Sequence, residues 1–282
     1  MRLAILIMAH RLPQQVAILC NLLLNKNVDV YVHIDKKAEL EEFKKEVNNP
    51  GVTFIQNRVN TKWGGFSIVE TIINSYDEIL NKSAYDYICN LSGQDLPIKR
   101  IENLLNHLEI HNGKEFIENI PYINKLGWWK ENKIRVEKYS FINLNLIGKY
   151  KLERLINAIK PRRKPPHNVT FSGNSGWFCL SQDAIKFILL SYKTNKLLRN
   201  FFRYVWGADE IYFSTILFNS PFREKMVGNL VHTVWEKEGA HHPKVLTIND
   251  INDLSSSSKF FARKFDVMVD QEIILQLQKE LS

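Results

Sequence analysis

Apolar and polar positions follow one another along the chain in blocks that predict strands and helices in turn. Leu3 to Met8 is a continuous apolar run, typical of a parallel strand that is covered on both faces. Gln14 to Leu24 has helical spacing, and Val28 to Ile34 is a second, β-branched run. This order predicts a right-handed βαβ unit. Such sheets bind ligands beyond the carboxyl ends of their strands, where His10 and Asp35 fall; Asp35 could equally cap the next helix.

The same alternation continues to the end of the chain. No repeat and no linker divides it, so we expect one α/β domain, with a mostly parallel sheet and an inserted helical and basic segment. Further helices are expected over Glu39 to Val47, Ser67 to Leu80, Ile101 to His111, Leu144 to Ile159, Ala184 to Tyr192 and Val269 to Leu281, and further strands over Val52 to Ile55, Tyr85 to Leu91, Val231 to Trp235 and Val245 to Ile248.

Two adjacent carboxylates, Asp209 and Glu210, open an apolar segment with helical spacing. Gly207 predicts a tight turn before them, Asp209 suits a helix N-cap, and Glu210 suits the first turn. A carboxylate at the exposed end of a helix that is anchored in a core is well placed as a general base, because packing fixes its position. Acidic residues are also common in first turns, so this stretch alone favours a simple helix cap.

The formal net charge of +8 has two interpretations: the protein binds a negatively charged partner, or its basic surface is simply solvated by water. From Tyr122 to Asn168 aromatic and basic residues mix, and Lys160 to His167 is a basic, proline-broken loop. This insert could bind an acceptor or anionic lipid, or it could be a disordered loop. The three cysteines stand far apart in apolar runs, typical of buried thiols in a reducing compartment. No apolar stretch reaches the ~18 residues of a membrane span, so we expect a cytoplasmic protein.

Several catalytic motifs are absent from the sequence. It has no GxSxG, GxGxxG or HExxH pattern and no kinase set. His241 and His242 lack the partner spacing that zinc needs, and no Asp-x-Asp follows a strand. We therefore expect no metal. An enzyme that releases a nucleoside diphosphate would then neutralise that leaving group with Arg and Lys side chains.

Several blocks, taken in order, resemble glycosyltransferase family 14, the branching β-1,6-N-acetylglucosaminyltransferase and peptide O-xylosyltransferase family. The resemblance runs from Ile7-Met8-Ala9-His10 to Phe261-Ala262-Arg263-Lys264-Phe265 and includes His33-Ile34-Asp35, Trp63-Gly64, Asn90 to Lys99, Ser172 to Phe178 and Asp209-Glu210. It implies a GT-A-type, Rossmann-like fold and an inverting, metal-independent transfer from a UDP-sugar. The nucleotide-binding half would span about 1–120, the insert about 122–168 and the acceptor half about 169–282.

The resemblance also implies roles for individual residues. Glu210 would take the proton of the acceptor hydroxyl while that oxygen attacks C1 from the face opposite UDP. Lys244 stands where the branching enzymes have an arginine, and an ammonium is a point charge without the guanidinium fork. The donor would contact His10, Arg11, Asp35, Trp63, Gly64, Lys244, Arg263 and Lys264, and the acceptor would contact Asp95, Glu118, Trp177, Asp209 and Trp235.

The family resemblance leaves the donor sugar open. We expect UDP-N-acetylglucosamine, although Phe261 to Phe265 is closer to the xylosyltransferase branch, and UDP-xylose or another UDP-hexose is the alternative. The paired cysteines of the secreted branching enzymes have no counterparts here. This fits a bacterial-type enzyme of surface polysaccharide synthesis with a glycan acceptor, often lipid-linked, and with peripheral contact to an anionic membrane.

Two other classes of protein compete with this interpretation. One is a non-catalytic protein that binds RNA or an anionic membrane, suggested by the charge; no RNA-binding motif is present, so we expect no nucleic acid partner. The other is an inactive family member that acts as a scaffold. Retention of Glu210, Arg263 and Lys264 argues against the scaffold.

Overall fold

The computed structural model describes residues 1–123, 127–236 and 242–281. Within these ranges the strands are β1 (Leu3–Ala9), β2 (Val28–Ile34), β3 (Val52–Phe54), β4 (Tyr87–Ser92), β5 (Asp95–Pro97), β6 (Glu115–Phe116), β7 (Ile120–Pro121), β8 (Ser172–Gly173), β9 (Cys179–Ser181), β10 (Met226–Val227), β11 (Val231–Thr233) and β12 (Phe261–Arg263). The helices are α1 (Pro13–Leu23), α2 (Leu40–Glu46), α3 (Phe66–Lys82), α4 (Ile101–Ile110), α5 (Trp128–Asn132), α6 (Ile134–Glu137), α7 (Lys149–Ile159), α8 (Gln182–Thr194), α9 (Lys196–Phe202), α10 (Asp209–Phe218), α11 (Ile251–Ser256) and α12 (Glu272–Leu281), with 3-10 turns at Arg223–Lys225 and Ile248–Asp250.

A mostly parallel sheet runs through the described part of the chain, in the strand order β10-β6-β9-β4-β1-β2-β3. Strand β1 pairs in parallel with both β2 and β4, while β9 is antiparallel to β4 and β6. The predicted α/β architecture with a mostly parallel central sheet is confirmed. The carboxyl ends of β1, β2 and β4 therefore meet at one edge, as the sequence predicted.

Alternate side chains of the central strands point into two apolar cores on opposite faces of the sheet. In β1, Leu3, Ile5 and Ile7 belong to the core that also contains side chains of α1 and α12. Ala4 and Leu6 belong to the core that contains side chains of α3, α8 and α10. Covering on both faces explains why the central strands read as continuous apolar runs.

Two smaller sheets complete the described architecture, in the orders β11-β12-β5 and β7-β8. Strand β5 is antiparallel to β12 and places Asp95 opposite Arg263. The sequence did not predict β5, because its partner is remote along the chain and Pro97 breaks the local strand pattern. Since β5 lies at an edge of its sheet, the missing N–H of Pro97 is tolerated there.

The final helix begins at Glu272 and not at Val269, and two further predicted elements differ from the structure. The strand expected over Val245 to Ile248 is wrong, because the side chains of Thr247 and Asp250 form a capping box that starts the 3-10 turn at Ile248. The helix expected from Leu144 begins only at Lys149, because Gly148 at its N-cap has a left-handed backbone (φ 80°).

The structure also bears on two expectations, one about the cysteines and one about membrane spans. Cys20, Cys89 and Cys179 are buried free thiols, as predicted. In the ranges that the structure describes, no helix combines the length and the apolarity that a bilayer crossing requires.

Candidate active site

The first turn of α10 is fixed by a close approach of backbone to backbone. A Cβ placed on Gly173 would lie 2.3 Å from the carbonyl oxygen of Glu210, so only glycine allows β8 to pack there. The next residue, Asn174, donates its N–H to the same carbonyl at 3.1 Å. Residues 211–218, the rest of the helix, are all buried. The predicted anchoring of this helix in the core is therefore confirmed.

A tight turn at Gly207 precedes the helix, as predicted, with φ 66°. Its N–H donates to the carbonyl of Gly64 at 2.7 Å, which joins the two glycine turns. The prediction that Asp209 is the N-cap is wrong. Ala208 holds that position, and Asp209 is already the first helical residue because the Gly207 turn brings the chain into helical geometry one residue earlier.

Glu210 is paired with Arg135 of α6. The Nη1 atom of Arg135 lies 2.5 Å from Oε2 of Glu210, and the exposed fractions of the two side chains are 16% and 32%. The guanidinium also lies over the ring of Trp206, 4.4 Å from its centroid. Within the described part of the chain no protein donor hydrogen-bonds to Oε1 of Glu210. This oxygen is therefore available to accept a proton from a ligand hydroxyl.

Asp209 lies beside this pair and differs from Glu210 in its surroundings. Although its side chain keeps some accessible surface, burial raises the pKa of Asp209 to about 7, and the adjacent Glu210 carboxylate acts in the same direction. Arg135 and Arg263 oppose the shift by attraction. The negative charge of the two neighbouring carboxyls is thus best carried by Glu210, which has the direct guanidinium partner.

Arg263, at the end of β12, is held from two sides. Its Nε lies 3.4 Å from a carboxylate oxygen of Asp95, which is fully buried, and its guanidinium lies 4.2 Å from the centroid of the Trp177 ring. Asp95 also accepts hydrogen bonds from the backbone N–H and the hydroxyl of Ser92. Among the described residues no acceptor hydrogen-bonds to the terminal nitrogens of Arg263, so these nitrogens can bind an anionic ligand.

A second cation stands next to Arg263. Burial lowers the pKa of Lys264, and the positive charges of Arg263 and Arg11 lower it further. Arg11, just beyond β1, forms an ion pair with Asp266. The predicted donor residues Arg11, Arg263 and Lys264 are therefore close enough to act on one another electrostatically.

Asp35 and His10 follow β2 and β1 at the same edge of the sheet. Asp35 is buried and accepts hydrogen bonds from the backbone N–H groups of Lys37 and Thr61 at 2.9 and 3.1 Å, and from the Thr61 hydroxyl. It therefore orders two loops and does not cap α2, whose N-cap is Glu39. His10 keeps a large part of its surface exposed. Partial burial of its ring lowers its pKa, and the positive charge of Arg11 lowers it further.

The glycine turn at residues 64–65 holds an aromatic group against the site. Trp63 is 56% exposed, and its ring meets that of Trp206 edge-on at 5.2 Å. Gly64 has φ 71°, and a Cβ there would lie 2.6 Å from the indole nitrogen of Trp206. Trp63 and Gly64 therefore support Trp206, which in turn stacks on Arg135.

The remaining predicted residues have other contacts or other surroundings. Lys244 is paired with Asp250 at 2.5 Å, so a donor contact would compete with that ion pair. Glu118 accepts a hydrogen bond from the backbone of Asn229 at 3.2 Å, and its own carbonyl accepts one from Ser214 of α10. Trp235 follows β11, is 53% exposed and adjoins residues 237–241, which the structure does not describe. Direct acceptor contact by Asp95 is disfavoured by its complete burial.

Sequence reasoning did not assign Arg135 or Trp206 to the site. Arg135 was grouped with the basic residues of the insert, where it had no distinguishing pattern. Its partner Glu210 is 75 positions away, and no local spacing reports a contact at that range. Trp206 directly precedes the Gly207 turn, and this position could have indicated that its ring lies near the start of α10. Because arginine commonly stacks on aromatic rings, an arginine partner for Trp206 could then have been expected.

In the described ranges no group of three or more His, Cys, Asp or Glu side chains has an arrangement that could hold a metal ion. His242 lies with its ring 5.1 Å from that of Trp63. The other member of the histidine pair, His241, lies outside the described residues.

The Core-2/I-Branching enzyme family model matches residues 5–256, and the chain belongs to this family. Rat xylosyltransferase 1 is 26% identical over 307 residues, with 99% of this chain and 35% of the rat protein covered. Bovine xylosyltransferase 2 is 27% identical over 309 residues, with 98% and 33% covered. The chain thus spans about a third of the length of these two relatives.

A solved structure with general similarity is that of mouse xyloside xylosyltransferase 1 in its apo form. It is 12% identical, covers 93% of this chain and 97% of the mouse chain, and has a TM-score of 0.42. At that TM-score it supports no inference about this protein. The family assignment rests on the sequence match, and it indicates a glycosyltransferase of family 14.

We expect Gly173→Ala to displace the first turn of α10, because a methyl group has no room against the Glu210 carbonyl. Overpacking of this kind costs ~1–3 kcal/mol and lowers Tm by several degrees. Thermal unfolding is the measurement. Gly228→Ala is the matched control, since its Cβ would meet its nearest neighbour at 3.5 Å. Equal Tm values for the two variants would contradict the packing argument.

We expect Asp209→Asn to change how stability depends on pH. Because the folded-state pKa of Asp209 is raised to about 7, the native state holds a proton that the unfolded state releases near pH 4. Folding is therefore penalised increasingly as pH rises from about 4 to about 7, and the penalty is constant above that. Thermal melts across this range should show the variant gaining stability over the wild type. Parallel pH profiles would contradict the assignment.

Proposed function

We propose that this protein is an inverting glycosyltransferase that moves a sugar from a UDP-sugar to a hydroxyl of a glycan acceptor. The observation that carries the proposal is the first turn of α10. There Glu210 is fixed in place with one free carboxylate oxygen, and its neighbour Asp209 is close enough to the Arg263 guanidinium for that charge to act on the pKa of Asp209. Lys264 follows Arg263 in the chain and interacts with it in the same way. Membership of the Core-2/I-Branching enzyme family supports the same reaction class.

The reaction would proceed as a single displacement. Oε1 of Glu210 takes the proton of the acceptor hydroxyl as that oxygen forms a bond to C1 of the sugar. The bond from C1 to the phosphate oxygen breaks on the opposite face, and its electron pair leaves with UDP. Arg263 and Lys264 bind the diphosphate and stabilise the charge that develops on it. Arg135 holds the Glu210 carboxylate in position before the acceptor arrives.

The identity of the donor sugar is open between UDP-N-acetylglucosamine, UDP-xylose and other UDP-hexoses. The sequence favoured UDP-N-acetylglucosamine, whereas the relatives just described are xylosyltransferases. UDP-xylose is therefore tested beside UDP-N-acetylglucosamine, with other UDP-hexoses as a third group. Each donor that binds only the native state should raise its apparent stability in a thermal-shift assay.

We propose that neutralisation of the leaving group is cationic and needs no metal ion. Arg263 is pre-oriented by Asp95 and by the Trp177 ring, so its planar fork can bind two phosphate oxygens without further ordering. Lys264 adds a second charge with no protein acceptor for its ammonium among the described residues. In this proposal no other cofactor is required.

For the biological role we propose cytoplasmic synthesis of a bacterial surface polysaccharide. The acceptor would be a glycan. A lipid-linked glycan fits the basic surface of the protein best, because that surface would be attracted to an anionic membrane. Peripheral contact with an anionic membrane would place the protein near such an acceptor. Nucleic acid is not proposed as a partner.

We expect Glu210→Gln to abolish transfer while UDP still binds. The amide keeps the shape of the side chain but cannot take a proton, and loss of a general base typically lowers the rate ~10²–10⁴-fold. Transfer is followed by release of UDP, and binding is followed by thermal shift. The control is Glu224→Gln, whose side chain is 91% exposed in the 3-10 turn at Arg223–Lys225, beyond the C-terminal end of α10. Unchanged turnover of Glu210→Gln would remove Glu210 from the mechanism.

We expect EDTA to leave the transfer rate unchanged, because guanidinium and ammonium groups do the work that Mn²⁺ or Mg²⁺ does elsewhere. The assay compares dialysed protein with and without chelator. Complete loss of activity that Mn²⁺ restores would refute metal independence but would leave the role of Glu210 intact.

A further inference from the structure

Helix α7 attaches to the rest of the protein through its polar side. The carboxylate of Glu153 accepts a hydrogen bond from the backbone N–H of Phe141 at 2.6 Å. The side chain of Asn157 bonds to both the N–H and the carbonyl of Tyr139, each at 2.8 Å. None of the residues of α7 is buried. The helix is therefore held by hydrogen bonds from its polar side chains, with the half-buried Ile156 as the one apolar residue of α7 that is not exposed.

The apolar side of α7 points away from these contacts, into solvent. At about 100° per residue, Leu152, Leu155 and Ile159 lie on one stripe, opposite Glu153 and Asn157. Their exposed fractions are 37%, 56% and 68%. The segment before the helix extends the stripe with Leu146 and Ile147, which are 53% and 102% exposed. A surface helix normally buries such a stripe, and a contiguous exposed apolar patch marks an interaction site.

Positive charge borders this apolar stripe. Lys151 and Lys160 lie about 90° to either side of its centre and are both exposed. No described acidic side chain forms an ion pair with either of them. Two nearby arginines are used internally, since Arg162 pairs with Glu137 and Arg163 donates to backbone carbonyls while stacking on Phe201. Lys151 and Lys160 therefore place free basic charge along both margins of the apolar stripe, and the exposed Arg154 adds a further cation on the polar side of the same helix.

We propose that the apolar stripe of α7, together with Leu146 and Ile147, docks on the surface of an anionic lipid bilayer. An apolar helix face with lysines along both margins is the pattern of helices that lie in the plane of a membrane interface. The lysines would contact lipid phosphates while the leucine and isoleucine side chains enter the acyl boundary. A second copy of this chain fits less well, because its own lysines and the net charge of +8 would repel.

The docking surface lies outside the carboxylate and guanidinium site, so this inference extends the proposed function and either can fail alone. The attachment points of α7, Tyr139 and Phe141, follow Arg135 by only four and six residues. Membrane contact would therefore be made through the same segment that contributes Arg135 to the site, which suits an acceptor that is itself carried by a lipid.

Vesicle flotation tests the docking surface. The full chain should float with phosphatidylcholine vesicles that contain phosphatidylglycerol and should stay at the bottom with phosphatidylcholine alone. Ile147→Ser/Leu155→Ser/Ile159→Ser should lose flotation. Lys151→Gln/Lys160→Gln should weaken binding about 30-fold, since each lysine near an anionic surface contributes about fivefold. Added salt should weaken wild-type binding in the same direction.

The matched control is Leu197→Ser, which removes a leucine that is 77% exposed on α9 and should leave flotation unchanged. UDP-induced thermal shift and transfer to a water-soluble acceptor should be unaffected in every α7 variant, which separates this test from the proposed function. Wild-type flotation that survives the triple substitution, or equal binding to neutral vesicles, would overturn the inference. So would a wild-type dimer, measured by light scattering, that becomes monomeric in the triple variant.

Discussion

The packing of β8 against the first turn of α10 is the constraint on which the site depends. Because Gly173 has no side chain, the strand backbone reaches the Glu210 carbonyl, and Asn174 bonds to it. The helix behind this contact is buried throughout, so it cannot shift without opening an apolar core. Two carboxylates are thereby held at a fixed place, and their mutual repulsion has to be met by protonation of Asp209 and by the guanidinium of Arg135.

Local pattern predicted those parts of the fold in which burial and sequence period coincide. Strand β2 has the predicted bounds, and the two ends of α3 differ from the prediction by one and two residues, because side-chain period reports directly which face is buried. At Asp209 and Glu210 the local pattern alone favoured a simple helix cap. The role of Glu210 as general base came from the family resemblance and stays a prediction. Strand β5 and the true start of α7 could not be predicted, because a remote partner decides one and the backbone angle at Gly148 decides the other.

The ion pairs of the site could not be predicted from local sequence patterns. Arg135 meets Glu210, and Arg263 meets Asp95, only after separate sheets and helices have assembled. The pKa of Lys264 is lowered first by burial and then by repulsion from Arg263 and Arg11. Such crowding of cations costs free energy in the unliganded protein. A bound diphosphate would relieve it, so the same repulsion that weakens the fold would strengthen donor binding and assist departure of UDP.

The segment between Arg135 and Ile159 connects the chemistry to the protein surface. At one end Arg135 is fixed by Glu210 and by two tryptophan rings. At the other end α7 is attached through the polar side chains of Lys149, Glu153 and Asn157. A helix attached by polar side chains loses no core packing when its apolar face meets another phase. If that phase is a bilayer, an acceptor carried on lipid is confined to the same surface, and its effective concentration at Glu210 rises without any new contact in the site.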